Sequence, residues 1–228
     1  MPNLPIVQSS SAKTRRRALW VAVYVAVVLG VDTLAAQRVQ FVIDWRMFLW
    51  VSSSGFDWFK FVTWFAIPFA AALPWLDLHA LSFKRWKRMD LWLLAGLAGV
   101  GAVAVIIIPL LPGVRDIYPG YGVLPAADKQ AFAVRHMIWV FSWLIGWEFL
   151  HRYTLLRAWD AWLPRVGWLI VPLSEGLYHL QKPLLEALGM VLFSLVLTYW
   201  ARKRRNVLLP FLAHLIIEIE LLIFLMIA

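Results

Sequence analysis

Cysteine is absent from the 228-residue chain. Disulfide bonds, thiolate metal sites and cysteine nucleophiles are excluded together, among them the Cys-dependent transpeptidase-like enzymes of membranes. Charge is also scarce. Only 15% of the residues are charged, whereas a soluble domain carries about 25%. Acids are the rarer sign, 13 Asp and Glu against 22 Lys and Arg. What fills the space is apolar: 62% of the chain is hydrophobic, with 15 Trp and several runs near the roughly 20 residues that cross a bilayer. The composition is that of a polytopic integral membrane protein, read as one domain over 1–228 with no sizeable soluble part.

The formal charge of +9 does not point to nucleic acid, because the basic residues fall in short clusters between apolar runs: KTRRR (13–17), FKRWKR (83–88) and ARKRR (201–205). Clusters at helix ends orient a protein in the membrane. Spans are expected at 18–36, 56–79, 91–111, 131–157, 167–181, 183–200 and 207–228. The stretch 41–51, FVIDWRMFLWV, is too short to span and reads as an interfacial helix. With the N-terminus inside, inner segments carry 15 Lys and Arg and outer loops five, so seven spans with N-in and C-out satisfy the positive-inside rule. Residues 1–17 form a basic cytoplasmic segment, and the apolar run after it reads as an uncleaved first helix. The loop 112–130, rich in Pro, Gly and Tyr, is expected to be an ordered outer cap. The setting implied is a plasma membrane, the inner membrane of a bacterium.

The acids divide by type. The eight Asp lie in loops or toward span ends, where water or headgroups can solvate them. All five Glu (148, 175, 186, 218, 220) fall within the last four spans, where each charge costs at least about 2.5–3.5 kcal/mol. Glu148 and Arg152 are four residues apart on one helix face, with His151 beside them; Glu175–His179 and His214–Glu218 repeat that spacing. Three helices each bearing a polar pair are expected to line a common hydrated cavity. With about 1.5 Å rise per residue, Glu148, His179 and His214 reach comparable depths. Glu186 is a weaker candidate, since it follows Pro183 at a helix start and complements the dipole there.

A glutamate with two histidines permits metal-independent hydrolysis, the carboxylate activating water and the imidazoles holding the oxyanion. The same set, His179, His214 and Glu148, could instead ligate Zn²⁺. HExxH, GxSxG and GxGD signatures are missing, which removes membrane zincins, rhomboid-type serine enzymes and aspartyl proteases. A proton-coupled transporter is a further class open to intramembrane Glu and His.

The order of motifs resembles the CPBP family of intramembrane proteases, the CaaX-protease and bacteriocin-processing family, whose motifs are EExxxR, FxxxH and HxxxN or HxxxD. Here they read WEFLHR (147–152), EGLYH (175–179) and HLIIE (214–218), and HLQKPLLEALG (179–189) matches the H-x-x-K-P-x-x-E pattern of a bacterial branch. The resemblance covers about 140–220. It implies a peptide or protein substrate held at the membrane and no cofactor. It also implies His179 and His214 as the pair that positions water and oxyanion, with Arg152 beside Glu148 and Glu218 beside His214. Three positions depart from the pattern: the first Glu is Trp147, the Phe is Glu175 and the Asn or Asp is Glu218. The water-activating base is then Glu148 or Glu175. A non-catalytic binding or immunity protein on the same fold is the alternative.

Overall fold

The computed structural model describes residues 11–41, 43–107, 110 and 120–227. Ser11 opens the first helix, α1 (Ala12–Ala36), by accepting a hydrogen bond from the Thr14 amide. Its 25 residues reach about 37 Å, enough for a hydrocarbon core about 30 Å thick. A minimal antiparallel ladder follows, β1 (Gln40–Phe41) against β2 (Ile43–Asp44), and then one 3₁₀ turn, Trp45–Phe48. The interfacial helix expected over 41–51 does not form. Asp44 bonds the Arg46 amide at 3.1 Å and grips its guanidinium, and such local pairing competes with helical hydrogen bonding.

Asp57 caps the next helix, α2 (58–75), through the Lys60 amide. Its middle, Phe61–Ala66, is a π turn just ahead of Pro68, where a missing amide donor and a crowding ring already disfavour regular α pairing. α3 is Arg88–Ile107. α4 (126–162) is one long helix whose segment Phe149–Leu155 is again π-helical. The two π turns pack together, with Phe65 and Phe149 rings 5.7 Å apart. Gly146 permits this approach: a Cβ there would lie 2.9 Å from the Trp64 Cβ and 3.1 Å from the Phe65 nitrogen. α5 (167–179) is a short helix entered by a 3₁₀ turn. α6 (Leu184–Arg204) starts after Pro183 and ends on Arg205, which takes the left-handed conformation. Asn206 caps α7 (Leu208–Ile227) through the Leu209 amide.

Among the described residues the fold is therefore seven helices. Four of them, α1, α3, α6 and α7, are long and apolar enough to cross a membrane. Large apolar side chains such as Trp20, Trp92 and Leu192 are more than 60% exposed, a surface suited to lipid rather than water. This is an α-helical membrane protein. The outer cap expected at 112–130 lies partly outside the described residues.

The aspartates require a correction. Asp32, Asp57 and Asp90 are buried, not solvated at span ends. Asp90 accepts from the Trp200 indole at 2.7 Å and from Arg204 at 2.8 Å, tying the start of α3 to the end of α6. Asp32 and Asp57 share Lys60, whose ammonium is 3.5 Å from one and 3.6 Å from the other.

Candidate functional site

Arg152 stands at the centre of the buried polar cluster. Nη1 donates to Glu148 Oε2 at 2.7 Å, the one-turn pair expected from the spacing, although the helix is π-wound from Phe149 onward. The same guanidinium reaches across to α5. Nη2 donates to Glu175 Oε2 at 3.0 Å, and Nη1 is 2.9 Å from Glu175 Oε1. Ser194 of α6 stands 3.5 Å from Nη2. One cation thus serves two carboxylates, each almost wholly buried. The planar fork of arginine suits this task, because it offers several donors in fixed geometry.

The second oxygen of Glu148 meets α7: His214 Nδ1 is 3.0 Å from Glu148 Oε1. A carboxylate only accepts, so this nitrogen carries the proton. The other ring nitrogen lies 3.8 Å from Glu218 Oε1, close enough for ion pairing and too far for a hydrogen bond. The chain Glu218–His214–Glu148–Arg152–Glu175 therefore runs continuously across α7, α4 and α5.

The pairing expected between the side chains of Glu175 and His179 does not occur. His179 Nδ1 instead donates to the backbone carbonyl of Glu175 at 2.8 Å, one turn back, and the carboxylate turns toward Arg152. A carbonyl cannot donate, so His179 keeps its proton on Nδ1 and an open lone pair on Nε2. His151 is held likewise: Nδ1 donates to the Trp147 carbonyl at 3.0 Å, and Nε2 accepts from the Ser174 hydroxyl at 3.3 Å.

Trp147 faces this group from inside. Its buried indole lies 4.2 Å from the His151 ring, 5.1 Å from Tyr178 and 5.8 Å, edge to face, from His179. The position where the motif calls for a leading carboxylate is thus filled by an aromatic plate against the second-motif histidine. Residues 129–219, most of α4 through the first half of α7, match the family model for type II CAAX prenyl endopeptidases, Rce1-like. That match supports the resemblance to the CPBP family over this segment. Comparison with curated proteins and with solved structures gave no match.

The structure brings Glu148, Arg152, Glu175, His214 and Glu218 into one contact network, and joins His179 to it through the Glu175 backbone. Glu186 is near enough to His179 and Glu218 to act on both electrostatically, while His136 stacks on Phe132. Among the described residues no three His, Asp or Glu side chains are grouped as a metal ion requires, so the zinc set His179, His214 and Glu148 does not fit. Arg152 beside Glu148 would also oppose a dication there. Reading the sequence missed Ser174, Ser194, Asp32, Lys60 and Tyr178. Ser174 and Tyr178 flank motif residues, and that adjacency was the available signal; Asp32 and Lys60 gave none. Ser174 and Tyr178 also border an apolar cavity of about 630 Å³ between α1 and α5, with Val25, Leu29 and Leu173 on its walls.

Proposed function

We propose that this protein is an intramembrane endopeptidase that hydrolyses a peptide bond of a membrane-associated protein or peptide. The observation that carries the reading is the joining of Glu148, Arg152, Glu175 and His214 from three helices inside a bundle whose exterior is lipid-like. Burying two glutamates and an arginine in a membrane is costly, and a reaction that needs charge away from bulk water accounts for the cost. Seven spans with N-in and C-out place the basic clusters at 13–17, 83–88 and 201–205 on the cytoplasmic side, within a single domain over 1–228.

Glu148 and Glu175 are the two candidates for the base. Glu148 has both oxygens engaged, by Arg152 and His214. Glu175 Oε1 lies 2.9 Å from Arg152 Nη1 as an ion pair but accepts no hydrogen bond, so it keeps a lone pair for a proton from water. In the proposed reaction Glu175 takes that proton, the hydroxide attacks the scissile carbonyl, and the carboxyl returns the proton to the leaving amine. Arg152 and His214 stabilise the negative charge, His179 positions the water through its open Nε2, and Glu218 orients His214.

Trp147 favours a second reading. With an indole in the place of the leading carboxylate, the same fold would serve as a non-catalytic binding or immunity protein. In-cell cleavage of candidate membrane peptides separates the two. Glu175→Gln and His179→Gln should each lower cleavage by about 10²–10⁴ while the protein remains folded. Full activity in both refutes the protease reading, and a parent that cleaves none of the peptides supports the binding one.

A further inference from the structure

A second polar cluster lies outside the segment that matches the family. Asp32 of α1 and Asp57 and Lys60 at the start of α2 are joined by ion pairs, and both carboxylates are buried. Lys60 also lies over the Trp64 and Trp139 rings, at 5.3 and 5.5 Å. The Asp57 backbone amide donates to Ser142 on α4 at 3.0 Å. Two carboxylates against one ammonium leave a negative charge in excess, and it is met from α5: the Tyr178 hydroxyl donates to Asp32 Oδ2 at 2.5 Å. A short bond to a carboxylate is among the stronger ones available to a neutral donor.

Tyr178 directly precedes His179, in the last turn of the short helix α5. Its ring is wedged between Trp64 at 5.9 Å and Trp147 at 5.1 Å, and it lies 5.6 Å from the His179 ring. A helix end is where a backbone frays first, because its last carbonyls lack partners within the helix. His179 is the last residue of that turn, and its ring is oriented by the Glu175 carbonyl.

We propose that Asp32, held in place by Lys60, which Asp57 anchors in turn, is a positioning residue: through Tyr178 it latches the last turn of α5 to α1 and so fixes the His179 imidazole. The proposal rests on the hydrolytic reading for its consequence and on geometry alone for the latch. Asp32 does not touch the reacting groups. Its effect passes through one hydrogen bond and one peptide unit.

The test uses the full chain in detergent micelles with ¹⁵N-labelled histidine, whose ring proton–nitrogen spectrum reports tautomer and order. His179→Gln assigns the His179 signals. Tyr178→Phe, which keeps the ring and loses the donor, should shift or broaden the His179 signals and leave those of His214 in place. Asp32→Leu should do the same, and Asp32→Asn, which keeps an acceptor, should restore the parental spectrum. On a fluorogenic membrane peptide that the parent cleaves, Tyr178→Phe should lower kcat at least about ten-fold with KM within two-fold, as expected for a misplaced group rather than a lost binding contact. Unchanged His179 signals in folded Tyr178→Phe overturn the latch, as does an equal disturbance of every histidine. If the parent cleaves nothing, the protease reading fails while the spectra still decide the latch. If Asp32→Leu does not fold, Tyr178→Phe decides it.

Discussion

Replacing Arg152 with methionine keeps an unbranched apolar stem and removes the guanidinium with its charge. Three contacts vanish together, at 2.7, 2.9 and 3.0 Å, and two carboxylates lose their shared partner. Removing one member of a buried pair costs about 3–5 kcal/mol, because the remaining charge is left uncompensated. Two orphaned glutamates place the expected loss at the upper end of that range, a large part of a total stability of about 5–15 kcal/mol. The same reasoning predicts a rescue. In Arg152→Met combined with Glu148→Gln and Glu175→Gln no charge remains to be compensated, and neutral replacement of a buried ion cluster is often free of cost. The triple variant should lie within about 1–2 kcal/mol of the parent. Equilibrium unfolding of micelle-embedded protein with SDS, followed by circular dichroism, measures both differences. A single variant within about 1 kcal/mol of the parent refutes the account, as does a triple variant no more stable than the single.

Two further outcomes follow from packing and charge. Gly146→Ala puts a methyl group 2.9 Å from the Trp64 Cβ and should force α2 from α4 at a cost of about 1–3 kcal/mol, read by the same unfolding assay. Asp77, in the turn after α2, would be raised by partial burial, but Arg85 at 2.8 Å and Arg157 at 3.5 Å hold it below the ordinary carboxylate range. A depressed folded value adds stability above the unfolded pKa of about 3.9 and loses it as pH falls through the folded value. The stability gap between parent and Asp77→Asn should therefore be full at neutral pH and close under acid; a gap that persists below both values refutes the assignment.

The helical membrane character was legible in composition and apolar runs, because lipid demands both of any chain that crosses it. The site was legible where partners share a helix. Glu148 and Arg152 sit one turn apart and meet as spacing implies. Glu175 and His179 have the same spacing and do not meet, because Arg152 on another helix offers Glu175 a charged partner and a nearby carbonyl satisfies His179. Spacing reports who shares a face; it does not report which neighbour across the bundle competes. Asp32 shows the same limit more sharply. Its partners Lys60 and Tyr178 are 28 and 146 residues away along the chain. Nothing local to VVLGVDTLAA distinguishes a solvated aspartate from a latched one. The stretch 41–51 failed for a different reason, since its apolar content suggested a helix while Asp44 favoured local bonds to Arg46.

The π turn at Phe149–Leu155 has a consequence for α4 as a whole. A π turn holds one residue more than the α-helical ladder around it, so the residues on either side are out of phase by one position, a rotation of about 100°. The half that ends at Glu148 takes its phase from α7, through His214. The half that includes Tyr153 and Arg157 takes its phase from the loop after α2, where Tyr153 accepts from the Asp77 amide at 2.6 Å. Deleting a single residue from 149–155 would bring the two halves back into phase and swing one set of partners off the bundle. α4 is in effect two helices of independent phase on one axis, and Arg152 sits at the joint.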